Sequence, residues 1–436
     1  MGSIRAGVVG LGYVGLPMCV AAVRAGFDCL GVDVDAKVVA GLNEGRSHID
    51  DVPCEIVGKM VETRRFRATI DFRDLRDVHV ILICVPTPID KHKVPDLSFI
   101  KSAAEQVSSI LRTGQLVVLE STSYPGTTEE VLRPILERSG LKAGVDFHLA
   151  FSPERIDPGN KEFRVERIPK IVGGLTSKCG DLAEQFYSRL VEKVVRVSSP
   201  RVAEMAKIHE NIFRCVNIAY VNELALLCDR MGIDVWEVID AASTKPFGFM
   251  PFYPGPGLGG HCIPVDPYYL AYKARDHDFH VRFVELAATI NDSMPYFVVS
   301  RVADILGEAG KGLKNASVLV LGVSYKKDIA DVRESPALKV MQILLKRGAM
   351  VSYHDPYVPK LTLSAPNATN GAPIGDQMTV ESTPLDAQSI AAADCIVLIT
   401  AHSCLPYDLI VGHSQAILDT RNALRAHSNG REVHRL

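Results

Sequence analysis

The chain has 436 residues, a net charge of −3, 47% hydrophobic residues and 23% charged residues, a composition typical of a globular protein with room for two or three domains. The near-neutral charge gives no reason to expect nucleic acid as a partner. No stretch approaches the roughly 20 apolar residues of a membrane span, and the opening residues lack the long apolar segment of a signal peptide, which favours a cytoplasmic protein that binds no membrane.

The ten cysteines are scattered along the chain without C-x-x-C pairs. This distribution favours reduced cytosolic thiols over a disulfide framework or a zinc site. We therefore expect no metal, and each cysteine has to be interpreted from its own surroundings.

The first element pattern, in residues 4–35, predicts a strand, a turn, a helix and a second strand. Gly10, Gly12 and Gly15 form a G-x-G-x-x-G turn directly after the first strand, and Asp33 ends the second strand. Such glycines permit a tight turn, close approach of a pyrophosphate and close helix packing, while the acid accepts hydrogen bonds from both ribose hydroxyls. The pattern predicts dinucleotide binding, with NAD favoured over NADP; a glycine-rich structural turn is the alternative.

Three further strand-like segments follow, at 78–86, 115–122 and 146–153, with helical patterns between them. This alternation predicts a doubly wound parallel sheet, in which ligands bind beyond the carboxyl ends of the strands. The segments "PTP" and "STSYPGTT" lie at those ends, which makes Thr87 and Thr122 candidate cofactor contacts. Ordinary turn chemistry is the alternative.

A long helical pattern begins near residue 200, and the region up to about 305 is predicted to be mainly helical. We interpret the first helix as a spine between two lobes and as a dimer surface. Five polar residues fall on one face of it at helical spacing: Glu204, Lys207, Asn211, Arg214 and Asn222. A solvated charged face is the ordinary interpretation, whereas burial of the lysine and asparagine beside a nucleotide would create an anion hole.

A second α/β lobe is predicted from about Asn315. It repeats the strand, helix and strand of the first lobe and ends its second strand at Asp355, but Gly322 stands alone before "VSYKKD". Lysines in place of a phosphate turn favour a nucleotide held by side chains. The polar segment 364–377 is predicted to be an exposed insertion. The predicted fold is therefore α/β, with two Rossmann-like doubly wound lobes joined by a central helical region.

One cysteine stands out, because Cys262 lies within the glycine- and proline-rich segment "GPGLGGHCIPVDP". A reactive thiolate needs positive charge or backbone N–H groups nearby, and Lys207 is a candidate for the charge. A small apolar filler is the alternative.

Four segments, "GLGYVGLP", "ENIFRCVNIAYVNE", "PGPGLGGHCIPVDP" and "GVSYKKDIADVRESP", together resemble the UDP-glucose/GDP-mannose dehydrogenase family over nearly the whole chain. The resemblance implies an NAD-binding domain at 1–199, a central helical dimerisation domain at 200–310 and a UDP-sugar-binding domain at 311–436. It implies a homodimer or higher homo-oligomer. It further implies a four-electron oxidation of a sugar-nucleotide CH2OH to a carboxylate with two NAD+.

The resemblance also implies residue roles. Cys262 matches the nucleophile that forms a thiohemiacetal and then a thioester. Lys207 and Asn211 match the pair that stabilises negative charge on the substrate oxygen, and Thr122 and Glu154 match residues that order water. Asp266 matches the acid after the cysteine. The implied cofactor contacts are Gly10, Gly12, Tyr13, Val14, Gly15, Asp33, Lys37, Thr87, Thr122 and Arg333. The implied substrate contacts are Arg155, Ile156, Lys207, Asn211, Arg214, Gly259, Lys326 and Lys327.

The sugar is indicated only by likeness to branches of the family. Pro158, Val265 and the sequence Glu120-Ser121-Thr122 depart from UDP-glucose members. The segments "ESTSYPGTT" and "FSPERIDPGN", with the region before and after Cys262, resemble the UDP-N-acetylglucosamine 6-dehydrogenase branch. The expected pathway is polysaccharide biosynthesis of the capsule or O-antigen type. The alternatives are a UDP-glucose or UDP-N-acetylmannosamine dehydrogenase and, from another class, an inactive nucleotide-sugar sensor.

Overall fold

The computed structural model describes residues 4–49, 51–90, 92–155, 165–260, 263–364, 377–428 and 430–436. The chain divides into two compact units. The first comprises Met1–Glu210 and Tyr268–His280, and the second comprises Asn211–Pro267 and Val281–Leu436. Two predicted site residues, Ile156 and Cys262, lie outside the described residues, as does most of the predicted insertion 364–377.

The first unit is built on an eight-stranded sheet. Its strands are β1 (Arg5–Val9), β2 (Asp28–Val32), β3 (Phe66–Thr69), β4 (Val80–Ile83), β5 (Leu116–Leu119), β6 (His148–Phe151), β7 (Lys170–Gly174) and β8 (Val194–Val197). Their order across the sheet is β3-β2-β1-β4-β5-β6-β7-β8. The chain order reverses between β1 and β4, which is where ligands bind in sheets of this type.

One strand pair departs from the predicted all-parallel arrangement. β6 and β7 pair antiparallel, with Phe151 opposite Gly173, whereas the other neighbours in this sheet are parallel. Consequently β7 begins at the sheet edge where β5 and β6 end.

Helices cover the sheet of the first unit. They are α1 (Gly15–Arg24), α2 (Ala36–Asn43), α3 (Cys54–Glu62), α4 (Ser98–Ile110), α5 (Arg133–Leu136) and α6 (Ser177–Tyr187). A π-helical turn at Thr127–Leu132 precedes α5. The core between α1, α3 and the sheet is apolar and fully buried, with Leu16, Phe27 and Leu82 among its members. The burial of these apolar side chains is the main contribution to the stability of the packing between helices and sheet.

Four helices follow, at α7 (Pro200–Met231), α8 (Val235–Ser243), α9 (Asp266–Ala274) and α10 (Arg282–Glu308). They fill the region that the sequence predicts to be helical. The part of α7 up to Glu210 belongs to the first unit, and the remainder belongs to the second.

The second unit contains a smaller parallel sheet. Its strands are β9 (Ser317–Leu321), β10 (Met350–His354), β13 (Cys395–Leu398), β14 (Ile417–Asp419) and β15 (His434–Arg435), in the order β10-β9-β13-β14-β15. An antiparallel pair, β11 (Lys360–Ser364) and β12 (Gln377–Glu381), flanks the predicted insertion. The accompanying helices are α11 (Pro336–Lys346), α12 (Ala387–Ala392) and α13 (Tyr407–His413).

Strand β9 shows that both faces of this second sheet are buried. Val318 and Val320 pack into one apolar cluster and Leu319 and Leu321 into another, because successive side chains of a strand point to opposite faces. Two layers of helices around a parallel sheet confirm the predicted class of two Rossmann-like lobes joined by a helical region. Within the part of the chain that the structure describes, no helix has both the length and the apolar character needed to span a bilayer.

Candidate active site

The glycine turn of the first unit has the shape that a dinucleotide requires. Gly10 directly follows β1 and has a φ of +89°, a conformation that favours glycine. A Cβ on Gly15 would lie 1.7 Å from the carbonyl oxygen of Gly10, whereas a Cβ on Gly12 would meet no atom within 4 Å. Because Gly15 has no Cβ, α1 can pack directly on the turn. The open space at Gly12 lets a pyrophosphate approach the bare backbone.

Asp33 holds this turn from the end of β2. Its carboxylate accepts a hydrogen bond from the backbone N–H of Leu11 at 2.8 Å and from that of Asp35 at 3.0 Å. A carboxylate at this position suits a ribose with free hydroxyls and repels a 2′-phosphate. The turn and Asp33 therefore fit NAD.

The remaining predicted cofactor positions differ in exposure. Thr87 is buried beyond the end of β4, Thr122 is half-buried beyond the end of β5, and Val14 is half-buried in the glycine turn. Tyr13 in the same turn and Lys37 in the first turn of α2 are exposed. All five belong to the first unit, whereas Arg333 belongs to the second unit, where it pairs with Asp331 at 2.6 Å.

The segment that carries Thr122 is held by Glu204 of α7. This carboxylate is fully buried and accepts hydrogen bonds from the N–H of Gly126 at 2.6 Å, the N–H of Thr128 at 2.9 Å and the hydroxyl of Thr128 at 2.7 Å. Burial raises the pKa of Glu204 to about 7, against the opposing effect of these hydrogen bonds. The sequence placed Glu204 on the polar face of the helix but gave no sign of this partner.

Two residues with predicted catalytic roles meet in the first unit. The Lys207 ammonium donates a hydrogen bond to the backbone carbonyl oxygen of Glu154 at 2.6 Å. Lys207 is 8% exposed, and the side chain of Glu154 is 12% exposed. A buried ammonium at the carboxyl edge of a sheet can stabilise an oxyanion, and the Glu154 carboxylate, which carries little exposed surface, can accept a proton.

Arg155, a predicted substrate contact, is engaged within the first unit. Its guanidinium pairs with Glu210 at 2.6 Å and donates a hydrogen bond to the carbonyl oxygen of Pro169 at 2.6 Å. These contacts fix the position of the Arg155 side chain beside Glu154.

The structure adds a buried charge network that the sequence analysis missed. Lys170 lies 2.8 Å from Glu120 and 3.1 Å from Glu154, and the Tyr187 hydroxyl donates a hydrogen bond to Glu120. The lysine at the start of a strand and the glutamate at the end of another were visible in the sequence. Their contact was not, because it depends on the antiparallel direction of β7.

In the second unit, three further predicted residues form a chain of contacts. The amide of Asn211 donates a hydrogen bond to Asp266, and Arg214 donates one to the amide oxygen of Asn211. Asn211 and Asp266 are buried, whereas Arg214 is exposed. Asp266 thus orients the asparagine amide that the family resemblance places beside the substrate.

The glycines before Cys262 pack closely on the predicted nucleotide loop. A Cβ on Gly259 would lie 2.6 Å from Cβ of Tyr325, and Gly260 donates a hydrogen bond to the carbonyl oxygen of Arg333 at 3.1 Å. The glycine run is therefore required by close packing within the second unit, independently of any role for Cys262.

In the loop after β9, two backbone N–H groups are held by a carboxylate. Asp355, buried after β10, accepts hydrogen bonds from the N–H groups of Val323 at 2.7 Å and Ser324 at 3.1 Å. Lys326 is half-buried and Lys327 is exposed in the same loop. Both lysines belong to the second unit, and their role as donors to an anionic ligand stays a prediction.

Arg421 is a half-buried cation that the sequence analysis did not single out. It follows the end of β14, donates a hydrogen bond to the carbonyl oxygen of Ile399 at 2.9 Å, and lies against Gly255. Burial lowers the pKa of Arg421 to about 10, although Asp419 opposes this effect. Its position just past the carboxyl end of a parallel strand was the available signal.

The fold and the glycine turn together define a dinucleotide-binding α/β protein with a second Rossmann-like lobe. Comparison with known proteins specifies its family. Three family models match along the chain. They are described as the NAD binding, central and UDP binding domains of the UDP-glucose/GDP-mannose dehydrogenase family, at residues 4–191, 201–293 and 319–426. The chain belongs to this family, as the sequence motifs indicated.

Several similar proteins act on different sugars. A UDP-N-acetyl-D-glucosamine 6-dehydrogenase of Pseudomonas aeruginosa is 38% identical over 92% of both chains. An NDP-N-acetyl-D-galactosaminuronic acid dehydrogenase of Ralstonia nicotianae is 34% identical over 95% of both. The solved UDP-D-ManNAc dehydrogenase of Pyrococcus horikoshii superposes with a TM-score of 0.88 at 32% identity over 99% of both chains. The protein is thus an NAD-dependent UDP-sugar dehydrogenase, and its sugar is not specified by these likenesses.

Proposed function

We propose that this protein oxidises the C6 hydroxymethyl group of a UDP-N-acetylhexosamine, in the first place UDP-N-acetylglucosamine, to the uronic acid for polysaccharide biosynthesis. The observation that carries the proposal is the contact between Lys207 and Glu154. Two residues that the family resemblance gives catalytic roles, 53 positions apart in the chain, meet in one buried place. The meeting of these two residues favours an enzyme over an inactive sensor.

The proposed chemistry divides among residues of this chain. Cys262 attacks the aldehyde formed by the first oxidation to give a thiohemiacetal, and the second oxidation leaves a thioester. Lys207 stabilises negative charge on the substrate oxygen, helped by Asn211, whose amide Asp266 orients. Glu154, with Thr122, holds the water that cleaves the thioester, and its carboxylate takes the proton that the water gives up.

NAD, when bound, accepts the hydride in each oxidation. Gly10, Gly12 and Gly15 provide the close backbone, and Asp33 receives the ribose hydroxyls. For the UDP-sugar we propose Lys326 and Lys327 as phosphate donors, with Arg155, Ile156, Arg214 and Gly259 as further contacts. The domain boundaries at 199 and 310 belong to the same proposal.

The acetamido sugar is proposed because the three relatives described above are named for N-acetylhexosamine substrates or products. The experiment is a comparison of kcat/KM for UDP-GlcNAc, UDP-GalNAc, UDP-ManNAc and UDP-Glc under identical conditions. The highest value for UDP-GlcNAc supports the proposal. A preference for UDP-ManNAc or UDP-Glc supports the alternative dehydrogenases, and binding of a UDP-sugar without turnover supports the sensor.

We also propose a homodimer or a higher homo-oligomer. Helix α7 carries large apolar side chains that are exposed in the single chain, including Phe213, Tyr220, Leu227 and Met231. Their spacings of seven, seven and four residues place them along one side of the helix, and exposed apolar surface of this kind is typical of protein interfaces. A monomer in light scattering at the assay concentration would refute this part of the proposal.

A further inference from the structure

Lys170 reaches Glu154 because of the direction of one strand. Glu120 directly follows β5, and Glu154 lies three residues beyond the end of β6. β7 runs antiparallel to β6 with Phe151 opposite Gly173, and continuing that register brings Lys170 opposite Glu154. A parallel β7 would have placed this lysine at the other edge of the sheet.

The resulting cluster contains two carboxylates and one ammonium. The side chains of Lys170, Glu120 and Glu154 are 7%, 0% and 12% exposed. Lys170 lies 2.8 Å from one carboxylate and 3.1 Å from the other, and the Tyr187 hydroxyl donates to the first. Because water is largely excluded, the Lys170 ammonium acts as a close counter-charge to both carboxylates.

Burial and charge act against each other in this cluster. Burial alone would lower the pKa of the Lys170 ammonium, but Glu120 and Glu154 together raise it above its ordinary value. Burial raises the pKa of Glu120, and Lys170 opposes that effect. Lys170 therefore stays charged, and the two carboxylates compete for it.

Other titratable groups near Glu154 are few among the described residues. Cys84, beyond β4, senses the charges of Glu120, Lys170 and Glu154, and burial raises the pKa of its thiol so that it stays neutral. The Lys207 ammonium faces the backbone carbonyl of Glu154. The Arg155 guanidinium is paired with Glu210. The backbone N–H of Arg155 donates a hydrogen bond to the Glu154 carboxylate at 2.6 Å.

We infer that Lys170 is a positioning residue for the reaction: it keeps the Glu154 carboxylate ionised and aimed, and Glu120 limits how strongly it does so. This rests on the proposed role of Glu154 in taking a proton from water. The lysine itself touches neither substrate nor cofactor in this account. Its effect is on the pH at which Glu154 becomes able to accept a proton, and hence on the acidic limb of the kcat profile.

The test compares pH profiles of kcat, followed as NADH absorbance with the best UDP-sugar substrate. In Lys170→Met the ionised Glu154 carboxylate loses the ammonium that lies 3.1 Å from it, so the acidic limb moves to higher pH by about one to three units. Lys170→Arg retains the charge and keeps the limb near its wild-type position. Glu120→Gln leaves the ammonium to Glu154 alone, and the limb moves to lower pH.

Lys273 provides a matched control. It also lies between two carboxylates of the first unit, 2.6 Å from Glu130 and 3.0 Å from Asp276, and its side chain is 11% exposed. Lys273→Met removes a low-exposure ammonium from two other carboxylates, which are themselves 39% and 58% exposed, so the position of the acidic limb stays unchanged. Packing damage alone cannot shift the limb in opposite directions for Lys170→Met and Glu120→Gln.

Each outcome either supports or overturns the inference about Lys170. Coincident limbs for Lys170→Met and the wild type overturn the inference; if that variant does not fold, an unchanged or raised limb in Glu120→Gln overturns it. Glu154→Gln separates the two levels of the argument. A normal rate and profile in Glu154→Gln, or no turnover by the wild type, overturns the proposed function and the inference with it. An impaired Glu154→Gln beside an unshifted Lys170→Met overturns the inference alone.

Discussion

Replacement of Glu204 by glutamine tests whether the Thr122 segment is held by a buried acid. The carboxyl group is buried and receives three hydrogen bonds, and its pKa is raised from 4.5 to about 7. Between these two pH values the folded chain retains a proton that the unfolded chain has lost. The contribution of Glu204 to the free energy of unfolding is therefore fully present below pH 4.5 and is lost as the pH rises through about 7.

The separation of the two pKa values corresponds to about 3 kcal/mol over the whole titration, and to about 2 kcal/mol between pH 5.5 and 8.5. Glutamine does not titrate, so Glu204→Gln lacks this pH dependence. For a unit of this size the wild type should lose about 4–8 °C in Tm relative to the variant over that pH range.

The assay is thermal unfolding at pH 5.5 and 8.5, followed by far-UV circular dichroism. Trp236 belongs to the second unit, so its fluorescence does not report on the unit that contains Glu204. Glu137→Gln, a partly exposed carboxyl group of the first unit, is the control and should follow the wild type. Parallel Tm changes for the wild type and Glu204→Gln would refute the reasoning.

Three further predictions concern the cofactor and the reaction. Gly15→Ala places a Cβ 1.7 Å from the Gly10 oxygen and should weaken NAD binding by at least about tenfold in calorimetric titration, whereas Gly307→Ala, with open space around its Cβ, should bind normally. Asp33→Ala should also weaken NAD binding, by about tenfold, and should lessen discrimination against NADP; unchanged affinity for both would show that the turn has been misinterpreted. Lys207→Ala should lower kcat by about a hundredfold or more with little change in NAD affinity, and a normal rate would remove Lys207 from the oxyanion role.

The parts of the fold that were predictable are those fixed by local patterns. The turn at Gly10–Gly15 and the acid at Asp33 follow from residue spacing along one strand, one helix and a second strand. The same layout in the second lobe led to Asp355, and the structure gives this residue a role parallel to that of Asp33, since each carboxylate binds the N–H groups of its own turn. Local patterns were sufficient because, in each of these strand–turn–helix–strand segments, the carboxylate and the turn that it binds belong to the same segment.

Tertiary contacts account for what was missed. The polar face of α7 was open to two interpretations, a solvated surface or a buried lysine and asparagine. Four of its five polar residues are buried and Arg214 is exposed; the buried ones are Glu204, Lys207, Asn211 and Asn222. Helical spacing predicts which residues share a face of the helix, but it does not predict which other parts of the protein pack against that face. The Lys170 network depends on the antiparallel direction of β7, and the direction of a strand cannot be derived from the alternation of its side chains alone.

The most direct test of the account is the number of NADH molecules formed per UDP-sugar consumed, measured with the wild type and with Cys262→Ser. The account predicts two NADH per sugar and a uronic acid product for the wild type, and no uronic acid from the variant. One NADH per sugar with release of an aldehyde, or normal acid formation by Cys262→Ser, would contradict the proposed four-electron oxidation through a thioester.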